Sequence, residues 1–220
     1  MKKKFAIVLS GCGVYDGSEI HEAISAMLAV EQNGGVYQIF APNAEQLHTI
    51  NHVTGKETTH NRNIIEESAR IARGNIQPLD KFNADDYDIL LFPGGYGAMK
   101  NWCNYAVVGN NCLVNQDVEK AIKAMFEKKK TIAAICIAPL LLARVLGNIT
   151  ITLGNPDNDY LASVQHFGAT HIVKEVTEVC IDTKNNIFTT PAYMLATNIN
   201  DVFTGINNLI KEILIVSNMT

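Results

Sequence analysis

Short apolar runs alternate with longer segments of helical periodicity along most of the chain. Phe5–Leu9 and Val36–Ala41 are runs of the first kind, and they predict buried parallel strands. Between them, apolar residues recur at helical spacing from Ser18, a residue type favoured as a helix cap, to about Asn33, where Gly34-Gly35 ends the segment. A strand, a helix and a strand in this order predict a β-α-β unit, the start of a doubly wound α/β fold.

The same alternation continues to the end of the chain, with one interruption. Residues 43–80 are polar, contain His48, His52 and His60, and include one helical segment at 61–73. An insertion of that length in a compact domain usually has a function or forms an interface. We expect it to cover the ligand-binding crevice at the carboxyl edge of the sheet or to help form a dimer. The remaining predicted elements are strands at 87–92, 131–135, 149–153, 171–173, 178–181 and 187–190, and helices at 117–130, 139–145, 157–167 and 197–216.

Composition predicts a single α/β domain over residues 1–220. The chain is 47% hydrophobic and 18% charged, so it can bury a sizeable core. A net charge of -4 provides no basic footprint for nucleic acid. The first apolar run, which follows three lysines, is too short for the core of a signal peptide and far too short to span a membrane. We therefore expect no nucleic-acid partner and no membrane partner.

Five cysteines are scattered along the chain, at positions 12, 103, 112, 136 and 180. Their odd number and the absence of Cys-x-x-Cys spacing indicate neither a disulfide framework nor a zinc site, and a reducing cytoplasm is the expected compartment. The histidines lack metal-binding spacing, so no metal is expected. Gly11, Gly13 and Gly17 depart by one position from the dinucleotide fingerprint, and the second strand ends without an acid for a ribose, so we expect no nucleotide cofactor.

Cys136 stands between a predicted strand and a predicted helix. The small and β-branched residues of Thr131–Ile135 indicate a buried strand, and Pro139 suits the first turn of a helix. A cysteine at such a corner lies on a strained turn at the carboxyl edge of the sheet, where backbone N–H groups and the positive helix end favour a thiolate. The alternative is a buried structural cysteine.

Two further elements should reach the carboxyl edge, where open α/β sheets bind ligands. The turn Pro93-Gly94-Gly95 presents backbone N–H groups, and the N–H groups of Gly95 and Ile137 form a candidate oxyanion pair, with Gly94 beside them. Glu19 and Glu22, at the start of the first helix, offer a carboxylate that can act as a proton shuttle. The alternatives are a plain tight turn and two acids that stabilise a helix N-terminus.

Taken together, these elements resemble the PfpI / class I glutamine amidotransferase-like superfamily, through Ala134–Pro139, Pro93–Gly95 and Glu22. Within that superfamily the chain is similar to the ElbB family of isoprenoid biosynthesis glyoxalases. The longer motifs that carry this second resemblance lie at 10–22, 51–55, 69–74, 136–139 and 189–194, together with Asn101. The resemblance covers nearly the whole chain, including residues 43–80.

The resemblance implies a flavodoxin-like fold with a mostly parallel sheet sandwiched by helices, no cofactor and usually a homodimer. It also implies that Cys136 is the nucleophile and Glu22 its carboxylate partner, with Glu19 as the alternative. The activity that it implies is a weak, glutathione-independent glyoxalase, a lyase acting on small 2-oxoaldehydes such as glyoxal and methylglyoxal.

Three departures from the superfamily narrow this expectation. Peptidase members carry a histidine directly after the cysteine, where this chain has Ile137. Amidotransferases place a His-x-Glu late in the chain, which His166 and His171 do not provide. The more active glyoxalases have a histidine at a position where this chain reads Gly154-Asn155-Pro156. Peptidase and glutaminase activities are therefore not expected, and a non-catalytic redox-sensing or binding protein with an oxidisable Cys136 is the alternative to a glyoxalase.

Overall fold

A mostly parallel, seven-stranded sheet runs through the computed structural model, which describes residues 2–217. The strands are β1 (Lys4–Val8), β2 (Val36–Ala41), β3 (Ile50–Asn51), β4 (Lys56–Glu57), β5 (Ile76–Pro78), β6 (Ile89–Phe92), β7 (Thr131–Ile135), β8 (Thr150–Ile151), β9 (Thr170–His171), β10 (Cys180–Asp182) and β11 (Ile187–Thr190). The helices are α1 (Ile20–Gln32), α2 (Ile64–Ile71), α3 (Ala98–Asn101), α4 (Tyr105–Val108), α5 (Gln116–Glu127), α6 (Pro139–Leu146), α7 (Leu161–His166) and α8 (Ile199–Ser217).

The main sheet has the order β10-β11-β7-β6-β1-β2-β5, and only its β10–β11 pair is antiparallel. The run β2-β1-β6-β7-β11 follows the flavodoxin-like order, and β5 adds a strand beside β2. Because the chain leaves β1 in opposite directions across the sheet, right-handed crossovers place α1 and α5 on opposite faces. The predicted α/β fold, with a doubly wound and mostly parallel sheet between helices, is confirmed.

The strands that reach the carboxyl edge are buried on both faces. Every residue of Phe5–Val8, Ile89–Phe92 and Ile132–Ile135 is 0% exposed. This burial accounts for their continuous apolar runs, since strands covered by helices on both sides do not alternate. Within residues 2–217, no helix is both long and apolar enough to cross a membrane.

The expectation that residues 43–80 interrupt the fold is wrong for the second half of this segment. Helix α2 and strand β5 continue the β-α-β pattern, and β5 pairs in parallel with β2 through Ile39 and Ile76. This three-residue strand ends at Pro78 and lies at the sheet edge, where a residue without an N–H is tolerated. The part outside the main sheet is therefore 43–63, which contains the β3–β4 hairpin.

Residues 43–63 pack onto the loop that follows β1. Ile50 N–H donates to Asp16 Oδ2 at 2.6 Å. Leu47 N–H donates to Asn101 Oδ1 at 3.1 Å, and the Asn101 amide donates to the Asp16 carbonyl at 2.8 Å. These contacts attach the segment to the loop after β1, while its predicted roles in covering the crevice and in forming a dimer stay predictions.

Two predicted strands of the second half lie outside the main sheet. The predicted strands at 149–153 and 171–173 form β8 and β9, which pair with each other in a small separate sheet. The hairpin predicted through residues 182–186 is confirmed, since β10 and β11 pair antiparallel. The short helices α3 and α4 were not predicted.

The turn after β6 packs against the loop after β1 so closely that side chains are excluded. A Cβ on Gly97 would overlap the backbone of Asp16 and Gly17. Gly95 has a φ of 107°, and a Cβ there would lie 2.5 Å from Glu19 N. The two loops meet where the chain reverses its direction across the sheet, which is where such folds bind ligands.

The packing at Gly97 predicts a large loss of stability on substitution. Gly97→Ala should lower the free energy of unfolding by about 3 kcal/mol or more, because the overlap is with backbone that cannot rotate away. Gly168→Ala is the control, since Gly168 has a φ of 81° but open space around its Cα. That control should cost only about 1 kcal/mol, from the left-handed backbone alone. Urea unfolding of both variants tests this, and equal losses would contradict the packing argument.

Candidate active site

Cys136 occupies the corner between β7 and α6. Its φ of 61° lies in the left-handed region that non-glycine residues avoid. Its N–H donates to the carbonyl of Thr190 at 3.0 Å, which ties the corner to the end of β11. The predicted strained turn at the carboxyl edge of the sheet is confirmed, and Cys136 is 7% exposed there.

Glu22 lies beside Cys136 and is 0% exposed. Its carboxyl group lies beside the Cys136 side chain, and each of the two groups shifts the pKa of the other. Glu22 Oε2 also accepts from Gly94 N–H at 2.8 Å, and Oε1 accepts from Tyr193 N–H at 3.3 Å. Four parts of the fold therefore meet at one carboxyl group: helix α1, the turn after β6, the corner at Cys136 and the segment after β11.

Glu19 has a different position from Glu22. It caps helix α1, where its Oε2 accepts from Glu22 N–H at 2.7 Å. Its own N–H donates to the carbonyl of Gly94 at 2.9 Å. Of the two acids left open by the sequence, the structure brings Glu22 to Cys136, and Glu19 acts on the pair as a neighbouring charge.

The predicted oxyanion residues separate into two roles. The N–H groups of Gly95 and Ile137 act on the Cys136 sulfur and lower the pKa of its thiol. The expectation that Gly94 also faces a substrate is wrong, because its N–H is directed to Glu22. A Cβ on Gly94 would lie 2.5 Å from Cys136 Cβ and 2.7 Å from Glu22 Oε2, so a glycine here permits the two side chains to meet.

Burial governs the charges of this pair. Burial, followed by the charge of Glu19, raises the pKa of Glu22 to about 8. Burial also raises the pKa of the Cys136 thiol well above its ordinary value, and an ionised Glu22 raises it further. The N–H groups of Gly95 and Ile137 oppose this rise. The backbone N–H groups therefore favour the thiolate, as expected, but burial outweighs their effect.

Aromatic and polar side chains surround the pair. Tyr193 OH lies 2.7 Å from His21 Nδ1, and half of the His21 side chain is exposed. On another side, burial raises the pKa of Tyr160, to which the nearby Tyr96, Tyr105 and Cys136 also contribute. Hydroxyl and imidazole groups that can form hydrogen bonds therefore lie in the neighbourhood of the pair.

Tyr193 is the site residue that sequence reasoning missed. The run 189–194 carried part of the family resemblance, but nothing in it indicated a contact with Glu22. The sequence could have indicated this contact in one way. Tyr193 follows directly after a predicted strand that could end at the same sheet edge as Cys136. Within residues 2–217, no set of three His, Cys, Asp or Glu side chains could hold a metal ion.

Comparison with known proteins identifies relatives of this chain. The chain matches the DJ-1/PfpI family over residues 14–152. It is 41% identical to the rat ES1 protein homolog, mitochondrial, over 97% of this chain and 84% of the rat protein. It is also 41% identical to the human glutamine amidotransferase-like class 1 domain-containing protein 3, mitochondrial, over 96% of this chain and 82% of the human protein.

Solved structures extend the comparison. The crystal structure of an isoprenoid biosynthesis protein with an amidotransferase-like domain from Ehrlichia chaffeensis superposes with a TM-score of 0.90 at 30% identity, covering 97% of this chain and 99% of the other. Drosophila melanogaster DJ-1beta superposes with a TM-score of 0.59 at 15% identity, covering 97% of this chain and 91% of the other, which is a likeness of fold. The chain therefore belongs to the DJ-1/PfpI family.

Proposed function

We propose that this chain is a slow, glutathione-independent glyoxalase of the ElbB type, a cofactor-independent lyase that acts on small 2-oxoaldehydes. The observation that carries the proposal is the contact of the buried Glu22 carboxyl with the Cys136 thiol, with two N–H groups directed at the sulfur. Isomerising an oxoaldehyde requires a nucleophile and an acid–base group at the same carbon, and this pair supplies both.

The proton on Glu22 decides how the nucleophile forms. Below a pH of about 8, Glu22 is mainly protonated and can donate a hydrogen bond to the sulfur. A neutral carboxyl that donates in this way favours the thiolate, whereas an ionised carboxylate opposes it. Glu22 thus promotes attack only in its protonated form, and the pair exchanges its proton over a single hydrogen bond.

In the first step, the Cys136 thiolate adds to the aldehyde carbon, and the carbonyl oxygen takes the proton of Glu22. This yields a hemithioacetal and leaves Glu22 as a carboxylate, which can act as the base of the next step. The N–H groups of Gly95 and Ile137, already beside the sulfur, stabilise the negative charge that develops on that oxygen. Glu22 then removes the hydrogen of the former aldehyde carbon as a proton, which leaves an enediol.

Return of that proton to the neighbouring carbon produces a thioester of the 2-hydroxy acid. Water hydrolyses the thioester and releases the Cys136 thiol. The net reaction adds one water to the oxoaldehyde, so glyoxal yields glycolate and methylglyoxal yields lactate. Because one carbon is oxidised while its neighbour is reduced, the reaction balances without an external oxidant or reductant.

The region around Gly154 supports a slow rate. More active glyoxalases of the resembled families carry a histidine at this place, whereas a Cβ on Gly154 would lie 2.7 Å from Leu195 Cγ. Gly154 also has a φ of 89°, a conformation that side chains other than glycine rarely adopt. Glu22 is then left to carry both proton transfers.

One observation favours a second function, that of a cysteine-based redox sensor. The donors of Gly95, Ile137 and protonated Glu22 converge on the sulfur itself. Two successive peroxide oxidations would convert the thiol first to a sulfenic and then to a sulfinic acid, each releasing one water, and the sulfinate oxygens would accept the same hydrogen bonds.

A small-molecule substrate, a homodimer and a cytoplasmic location remain part of this proposal. The rat and human relatives are named as mitochondrial. The cysteines of the described residues are free, which fits a reducing compartment of either kind.

Substitution of Glu22 tests the catalytic role. Glu22→Gln preserves the shape of the side chain but removes the base, so glycolate formation from glyoxal should fall by ~10²-fold or more. Glu31→Gln is the matched control, because it makes the same change on an exposed position of the same helix. Cys136→Ser should abolish turnover.

The same variant separates the two functions. If Glu22→Gln changes the pKa and peroxide sensitivity of the Cys136 thiol while glyoxal turnover equals that of wild type, Glu22 tunes a sensor and the glyoxalase proposal is wrong. If glyoxal turnover falls by ~10²-fold or more, Glu22 acts in catalysis and the glyoxalase proposal is supported.

The raised pKa of Glu22 predicts a pH-dependent stability. The folded protein retains a proton on Glu22 up to a pKa of about 8, whereas the unfolded chain releases it near the ordinary value of 4.5. The folded state binds more protons in this window, so its stability is full below the lower pKa and is lost as pH rises through the higher one. Relative to Glu22→Gln, the free energy of unfolding of wild type should fall by roughly 2–5 kcal/mol across the window. Parallel urea-unfolding curves for the two proteins would contradict this.

A further inference from the structure

Cys103 and Cys112 lie side by side, separately from the Glu22–Cys136 pair. Both are buried, at 5% and 1% exposure, and each thiol shifts the pKa of the other. The backbone explains this proximity: Cys103 forms an antiparallel bridge with Val114, and the side chains of residues 112 and 114 project to the same side. Cys112 is therefore the diagonal neighbour of Cys103 across two antiparallel segments.

The two thiols are electrostatically unequal. The neighbouring Cys103 thiol lowers the pKa of Cys112, and the charge of Arg144 acts in the same direction against burial. The Arg144 guanidinium donates to the Cys112 carbonyl from Nε at 3.2 Å and from Nη2 at 3.0 Å, which fixes its position. The neighbouring Cys112 and then burial raise the pKa of Cys103. We therefore expect Cys112, which lies beside the guanidinium, to be the nucleophile.

The segment between the two cysteines lies at the surface. Residues 104–111 consist of α4 and a following 3-10 turn, and none of them is buried. Val107 is 60% exposed and Val108 45% exposed, whereas Tyr105 and Ala106 pack partly against the core. Segments with few buried contacts open locally at low free energy, and such an opening admits a small neutral oxidant.

We propose that Cys103 and Cys112 form a second redox site, in which hydrogen peroxide converts the dithiol to a disulfide. The Cys112 thiolate attacks one peroxide oxygen, the O–O bond breaks, and the departing hydroxide takes a proton to become water. The resulting sulfenic acid is attacked by the Cys103 sulfur, which forms the S–S bond and expels the second oxygen as water. The two thiols lose two electrons and two protons, and the peroxide accepts them.

The disulfide would close the segment 104–111 into a loop and restrict its opening. This segment carries Tyr105, whose OH lies 2.6 Å from Ser163 Oγ and whose ring lies 6.2 Å from that of Tyr160. Tyr160 in turn is near Cys136. Oxidation of this site therefore stiffens one wall of the crevice without modifying the Glu22–Cys136 pair.

Peptide mapping of the full-length protein tests the proposal. Trypsin releases both cysteines on one peptide, 101–120, because Lys100 and Lys120 are the flanking cleavage sites. After limiting hydrogen peroxide, this peptide should be lighter by two hydrogen atoms and resist alkylation until it is reduced. Its oxidation should be at least about ten-fold faster than that of Cys180, whose pKa is raised by burial.

Single variants identify the order of attack. In Cys103→Ser, Cys112 should stop at a sulfenic acid that dimedone captures, whereas in Cys112→Ser the Cys103 thiol should stay alkylatable. Cys180→Ser, a change at a buried cysteine elsewhere, should leave the disulfide unaffected. Cys103 and Cys112 thiols that remain alkylatable in wild type at a peroxide concentration that oxidises Cys180 would overturn the proposal, as would a disulfide from either one to another cysteine.

Discussion

Gly94 donates its N–H to Glu22 Oε2 at 2.8 Å, and this hydrogen bond holds a fully buried carboxyl group where the turn after β6 meets helix α1. A buried carboxyl group is costly unless its oxygens have partners, and the N–H groups of Gly94 and Tyr193 are the partners here. The same burial keeps a proton on Glu22 near neutral pH. The chemistry available to Cys136 thus depends on how the backbone satisfies a side chain on a different element.

Steric constraints support this interaction. A side chain at Gly94 would strike Cys136 and Glu22, and one at Gly97 would strike the loop after β1. Cys136 itself is held at a φ of 61° by its N–H bond to Thr190 and by the start of α6. A strained conformation of this kind persists only where the surroundings determine it, which is typical of functional sites. The proposed glyoxalase and the proposed sensor would use the same geometry, and they would differ in whether the atom that reacts with the sulfur is a carbon or an oxygen.

The periodicity of the sequence was sufficient for the α/β class, because strands buried on both faces read as continuous apolar runs. It did not reveal β5, because three residues that end at Pro78 are too few to show the periodicity of a strand. These residues form a strand only because they pair with β2. The cysteine corner was also predictable, from Pro139 and the preceding strand. The choice between Glu19 and Glu22 was not predictable from the sequence. The two acids lie only three positions apart, and only the packed helix shows that Glu19 is the cap and Glu22 is buried. Likewise, Cys103 and Cys112 read as scattered residues until the bridge from Cys103 to Val114 places them together.

The dependence of both site residues on the segment after β11 has a consequence for synthesis of the chain on the ribosome. Thr190 holds the backbone of Cys136, and Tyr193 holds the carboxyl of Glu22. Glu22 and Cys136 leave the ribosome long before either support does, since synthesis runs from the N-terminus. Residues 14–152, which match the DJ-1/PfpI family, have then been synthesised. The backbone groups that hold Glu22 and Cys136 in place have not. In a nascent chain Cys136 is therefore an ordinary thiol, and its pairing with Glu22 is complete only after residues 190–193 have been made.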